Sequence, residues 1–171
     1  MKKRIELMIA VNERAGSDDF YNRAQALGTL AAKSFLEVQK EERQQRRVSE
    51  EKQKNDLQKH RSQMTGLENI AETTLKVTDV LDYIKKQTAR QPGWKKEVDG
   101  ERFGVRLKNY LEGEFKTVDV HQVCIKVDIG DDTDSDKRMH QQVALELLRQ
   151  LIRQLVVQYE YYISEGEGVK T

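Results

Sequence analysis

The stretch DSDKRMHQQVALELLRQLIRQLVVQYEYYI, residues 134–163, decides the fold. Met139, Val143, Leu147, Leu151, Leu155, Tyr159 and Tyr162 recur every three or four residues and so share one face of a helix. Leu148, Ile152, Val156 and Ile163 widen that face beyond a narrow seam. Asp134 or Ser135 can cap its start by accepting an orphan backbone N–H. A helix this apolar is buried against the rest of the fold or against a partner. Val143, Leu147, Leu151, Leu155, Tyr159 and Tyr162 are therefore the candidate interface residues. The Gly- and Glu-rich segment 164–171 reads as a loose tail.

Upstream of this helix the pattern changes several times. Residues 5–11 fit a strand of period two or a short helical turn. From Phe20, the residues Ala24, Leu27, Ala31, Phe35 and Val38 mark a helical face. From Gln39 to Gln63 only Val48 and Leu57 are aliphatic, so no stripe is left to bury. Glu-before-base pairs such as Glu42–Arg46 and Glu50–Lys54 still support a helix. The segment 17–63 thus reads as one long helix whose part 39–63 is a polar arm projecting into solvent. Gly66 is expected to break it. Leu67, Ile70, Thr74, Val77, Leu81 and Ile84 then form a heptad-like seam, which predicts an amphipathic, coiled-coil-like helix over 67–90 ending before Pro92. In the basic segment 94–129, Asp99-Gly100 suits a two-residue hairpin turn. Val118, Val120, Val123, Ile125, Val127 and Ile129 alternate as strand faces do.

The fold expected is therefore mainly α with a small antiparallel β-sheet, in one domain spanning 1–171. Long helices pack as a helical hairpin or bundle, one of them carrying the polar arm. Composition agrees. Leu, Ile, Val and Phe make up 42 of 171 residues, enough for a core, and the single Pro and 10 Gly favour long helices over a turn-rich sandwich. Thirty basic against twenty-nine acidic side chains nominate no polyanionic partner from net charge alone. Cys124 is the only cysteine, which points to a reducing compartment. The start Met1-Lys2-Lys3-Arg4 has no adequate apolar run behind it, and no stretch is long enough to span a membrane. The expected location is cytoplasmic, with no membrane contact.

Chemical signatures are sparse. His121 and Cys124 lie three apart, but no second pair completes a four-ligand zinc site. Placing Asp132, Asp134 and Asp136 in an EF-hand loop puts Lys137 where glycine is needed and Val143 where the bidentate glutamate belongs. No phosphate-binding glycine loop, G-x-S-x-G or H-E-x-x-H motif occurs. The expectation is no catalytic site, no metal, no cofactor and no enzyme.

One charge asymmetry stands out. Residues 85–108 carry eight basic side chains, Lys85, Lys86, Arg90, Lys95, Lys96, Arg102, Arg106 and Lys108, against three acids. Trp94, Tyr83, Phe103 and Tyr110 are interleaved, and aromatic faces can stack bases while cations hold phosphates. The nine candidate nucleic-acid contacts are these eight bases and Trp94. Residues 111–136 then carry two bases and eight acids, so the segment can also pair head to tail with another copy. Two functions follow. The first is a non-enzymatic assembly or adaptor subunit, docking on a protein partner or as a homo-oligomer through its apolar C-terminal helix. The alternative binds RNA or single-stranded nucleic acid through 85–108. In general character that alternative is similar to the small helical subunits of CRISPR-type ribonucleoprotein effectors, though no aligned motif carries the likeness.

Overall fold

Helix α8 (Asp134–Gly168) is the spine on which the other elements pack. The structure, a computed structural model, describes the backbone of residues 1–45 and 50–168, and their side chains outside 50–59 and 167–168. Thr133, not Asp134 or Ser135, caps α8. Its Oγ1 accepts from Asp136 N at 3.0 Å while Asp136 Oδ2 accepts from Thr133 N at 3.2 Å. A reciprocal Thr-x-x-Asp box satisfies two orphan donors where either neighbour alone satisfies one. The helix runs on to Gly168, past the expected start of a loose tail at 164; residues 169–171 lie outside the described part.

Along one side of α8 lies α2 (Asp18–Gln45), running in the same direction. The two backbones meet at Gly28, where a Cβ would collide with the Leu155 carbonyl oxygen. One turn further along, the Phe35 and Tyr159 rings pack edge to face at 5.5 Å. Helix α1 (Lys2–Ala15) settles residues 5–11 as helix, and Gln154 Nε2 donates to its last carbonyl, Ala15 O, at 2.8 Å. Together with α3 (Glu50–Thr73), these helices fill the apolar face of α8. Val143, Leu147, Leu151 and Leu155 are fully buried, Tyr159 is nearly so, and Tyr162 is half-buried against the same core.

The long helix expected over 17–63 is two helices, α2 and α3. They end and begin on either side of residues 46–49, which lie outside the described part. At the two ends of the expected polar arm some polar side chains pack inward, while most of the arm, 46–59, lies outside the described side chains. Gln39, His60 and Gln63 are buried, and His60 stacks on Phe35 with ring centroids 5.1 Å apart. Gln63 Oε1 accepts from the Trp94 indole at 3.0 Å, and its Nε2 donates to Gln91 Oε1 at 3.1 Å. Polar side chains that satisfy one another can line a core, which an apolar-stripe criterion does not register.

Gly66 does not break α3. A Cβ there would collide with the Tyr83 hydroxyl, which donates to Gln63 O at 3.0 Å, so this glycine admits a neighbouring helix. The break falls at Thr74–Lys76. Thr74 Oγ1 accepts from Lys76 N at 3.1 Å and donates to Asp79 Oδ2 at 2.5 Å. The heptad-like seam over 67–90 is therefore not one coiled-coil strand. Its two halves lie on α3 and α4 (Val77–Arg90), folded back on each other as antiparallel neighbours.

After the short α5 (Pro92–Lys95), strands β1 (Glu97–Val98) and β2 (Glu101–Arg102) form the expected hairpin. Asp99 and Gly100 hold positive φ of 54° and 79°, as a two-residue turn of this type requires. The rest of 94–129 is helical: α6 (Phe103–Glu112), a π-helical segment (Phe115–Val120) and α7 (His121–Lys126). The strands expected over 118–129 are absent. Phe115, Asp119, Val120, Val123 and Cys124 are the buried set, which is helical spacing, while Ile125 is 65% exposed. Asp119 hides that face in the sequence because a carboxylate reads as solvent-facing.

Deleting the buried Leu151 side chain as Leu151→Ala should lower unfolding free energy by about 2–5 kcal/mol. Gly28→Ala should also destabilise, since the new methyl group meets backbone. Val157→Ala, at a residue 66% exposed, should change stability by less than about 0.5 kcal/mol. Urea denaturation of the three variants checks this order.

Candidate functional site

The basic segment lies on the edge formed by α4, α5, the hairpin and α6. Val80, Leu81 and Ile84 bury one side of α4, which turns Lys85, Lys86 and Arg90 outward. Pro92 ends that helix and opens α5, because its fixed φ suits a first helical position. Lys95 is exposed on α5. From Ile84 to Lys96 the chain carries five bases and no acid.

The aromatic residues do not share that surface. Trp94 is fully buried, with its indole donated to Gln63 and its ring 4.9 Å from that of Phe103, so it is no nucleic-acid contact. Phe103 is also fully buried, Tyr110 nearly so, and Tyr83 is half-buried against α3. Five of the eight bases are held by carboxylates of the same chain. Lys85 and Lys108 flank Glu112 at 3.6 and 2.9 Å, Arg102 meets Glu97 at 3.8 Å, Arg106 pairs with Glu101 and Lys96 with Glu41. Lys86, Arg90 and Lys95 are exposed and have no ion pair among the described residues.

A cleft of about 670 Å³ opens between α2, the hairpin and α6. Arg23, Arg102 and Arg106 line it together with Glu97, Glu101 and Glu114, over the apolar side chains of Leu27 and Val105. A second, smaller cleft of about 340 Å³ shares Glu97 and Arg102 with it and is lined by Lys95 and Lys96. Glu41 and Glu42 line it as well, and the two depressions are neighbours on either side of the Glu97–Arg102 pair.

Beneath the larger cleft lies a buried charge cluster that sequence reasoning missed. Asp119, fully buried on the π-helical segment, accepts from Arg14 at 3.0 and 2.6 Å, from Arg23 at 3.4 Å and from the Tyr110 hydroxyl. Arg23 also lies over the Tyr110 ring, 4.8 Å from its centroid, and reaches Glu114 at 3.1 Å. Burial, and donation to Asp119, push the Tyr110 phenol well above the ordinary tyrosine range. On the outer side, the Arg14 guanidinium holds Asp19 down to about 2.

Cys124 meets a partner from another helix, too. Its Sγ lies 3.2 Å from His140 Nδ1, while His140 Nε2 lies 3.0 Å from Asp131 Oδ1 and 3.2 Å from Gly130 O. The order thiol, imidazole, carboxylate suits nucleophilic chemistry, yet burial pushes the thiol up to about 11. Cys124 is itself 1% exposed within the core, where thiols serve packing. The separation of 124, 131 and 140 along the chain leaves no motif to read, and His121 is exposed.

Among the described residues no helix is long and apolar enough to cross a membrane, and no three His, Cys, Asp or Glu side chains converge as metal ligands. Compared with protein-family models, curated proteins and solved structures, the chain matches none.

Asp119→Asn should cost about 3–5 kcal/mol in urea denaturation, because two guanidiniums lose the buried charge they face. Acid should expose the Arg14–Asp19 pair separately. Its folded-state value lies below the unfolded one, so its stabilisation is present above the ordinary aspartate range and is lost as pH falls toward about 2. Asp19 is half exposed, which limits this effect to less than about 1 kcal/mol. Asp19→Asn should lower stability slightly at neutral pH and flatten the acid limb of the denaturation midpoint.

Proposed function

We propose that this protein is a non-enzymatic helical subunit that holds the phosphate backbone of single-stranded nucleic acid along the α4–α5 edge. The observation that carries this reading is the series Lys86, Arg90 and Lys95, unpaired among the described residues, with Lys85 beside it, on a stretch without acids. Exposed cations without a carboxylate partner are free to neutralise phosphates, which releases the cations condensed on the nucleic-acid backbone and so drives association. Trp94, Phe103 and Tyr110 are taken up by the core, so contact is by charge and tolerant of base identity. The apolar face of α8 supports no rival docking role of its own, since the chain's other helices fill it.

Fluorescence anisotropy of a labelled single-stranded homopolymer, titrated at several salt concentrations, tests the proposal. Affinity should fall steeply with salt. The slope of its logarithm should shrink by up to about 2 in the triple variant Lys86→Ala, Arg90→Ala, Lys95→Ala, at roughly 0.7 for each phosphate no longer neutralised. Absence of binding in low salt, or an unchanged slope in the triple variant, would overturn it.

A further inference from the structure

The larger cleft has features that backbone holding does not use. Three guanidiniums from two elements and the strand between them, Arg23 on α2, Arg102 on β2 and Arg106 on α6, face one space. Each is met by one glutamate, Glu114, Glu97 and Glu101 in turn. Those carboxylates are 64%, 61% and 47% exposed, so each pair is a weak surface ion pair that is readily exchanged. The guanidinium of Arg23 is set differently. Tyr110 and the buried Asp119 fix one side of it, leaving its other nitrogen to meet Glu114 at the cleft. Asn109 adds an amide to the same lining.

We propose that this cleft is a phosphate-monoester site, in which a terminal phosphate displaces the three glutamates from Arg23, Arg102 and Arg106. Guanidinium forks match phosphate oxygens two at a time, and a phosphate monoester dianion carries one more charge and one more free oxygen than a singly charged diester, so a chain end is preferred over its backbone. The volume of about 670 Å³ suits one such end group with its sugar and base. The site rests on the strand-binding reading for its source. Lys95 lines the smaller cleft, and Glu97 and Arg102 line both, so a strand held on the α4–α5 edge runs beside the larger cleft and places its end within reach of it. The shared chemistry, a phosphate monoester, also belongs to free nucleotides.

Three probes separate these sources: a 3′-labelled single strand with a 5′-phosphate, the same strand with a 5′-hydroxyl, and adenosine 5′-monophosphate followed by thermal shift. The 5′-phosphorylated strand should bind about tenfold tighter. Arg106→Gln should erase that preference, so that the two strands bind alike. Arg102→Gln, also at the surface, should act in the same direction, which guards against misfolding of one variant. Equal binding of both strands would overturn the cleft proposal and leave the backbone reading standing. If neither strand binds but the nucleotide raises the melting temperature, and Arg106→Gln abolishes that rise, the cleft stands and the backbone reading falls. No response to any of the three probes would overturn both.

Discussion

The carboxylate of Asp119 is the constraint on which the cleft-bearing side of the molecule depends. It lies fully buried on a π-helical segment and receives Arg14 from the end of α1, Arg23 from α2 and the Tyr110 hydroxyl from α6. A charge taken out of water costs several kcal/mol unless paired and hydrogen-bonded, so these four segments have one mutually satisfied arrangement. Such a cluster adds little net stability compared with apolar packing. What it contributes here is position, because it sets where Arg23 stands and therefore what faces the cleft above it. The extra residue per turn in a π-helix rotates a side chain off the regular helical register.

Around this cluster the rest is conventional helix packing with close approaches at several glycines, Gly28 and Gly66 among them. Gly28 lets α2 lie against the backbone of α8, and Gly66 lets the Tyr83 hydroxyl reach α3. Both glycines stand inside helices, where glycine costs up to about 1 kcal/mol relative to alanine. Contact between neighbouring helices offsets that cost. Trp94 is held in the same way, between Phe103 and the side-chain amide of Gln63.

How much of this can be read from sequence follows from what each residue type signals. The apolar face of α8 is plain because Val143, Leu147, Leu151 and Leu155 repeat without interruption, and Asp99-Gly100 announces its hairpin. The helices over 115–126 are not legible as such, since Asp119 masks their buried face and the valines around it mimic strand alternation. Gly66 resembles a helix end because a close approach leaves no mark in local sequence. In the candidate site, the charges of 85–108 are visible, but their partners are not. Glu41, Glu112 and Glu114 reach Lys96, Lys85 and Arg23 only in the fold, and Trp94 belongs to a core that periodicity does not assign.

The outcome is a surface on which most cations are already matched, with an unmatched series on α4 and α5 and a cleft of exchangeable pairs beside it. A phosphate backbone held by the first would need no aromatic platform, and its salt sensitivity would be its signature. Lysine acetylation footprinting, read by mass spectrometry with and without a single-stranded oligonucleotide, addresses the location of binding most directly. Lys85, Lys86 and Lys95 should be protected by the strand, while the exposed Lys76 and Lys116 should react as before. Protection spread evenly over all lysines, or confined to those outside the α4–α5 edge, would contradict a charge-held strand on this surface.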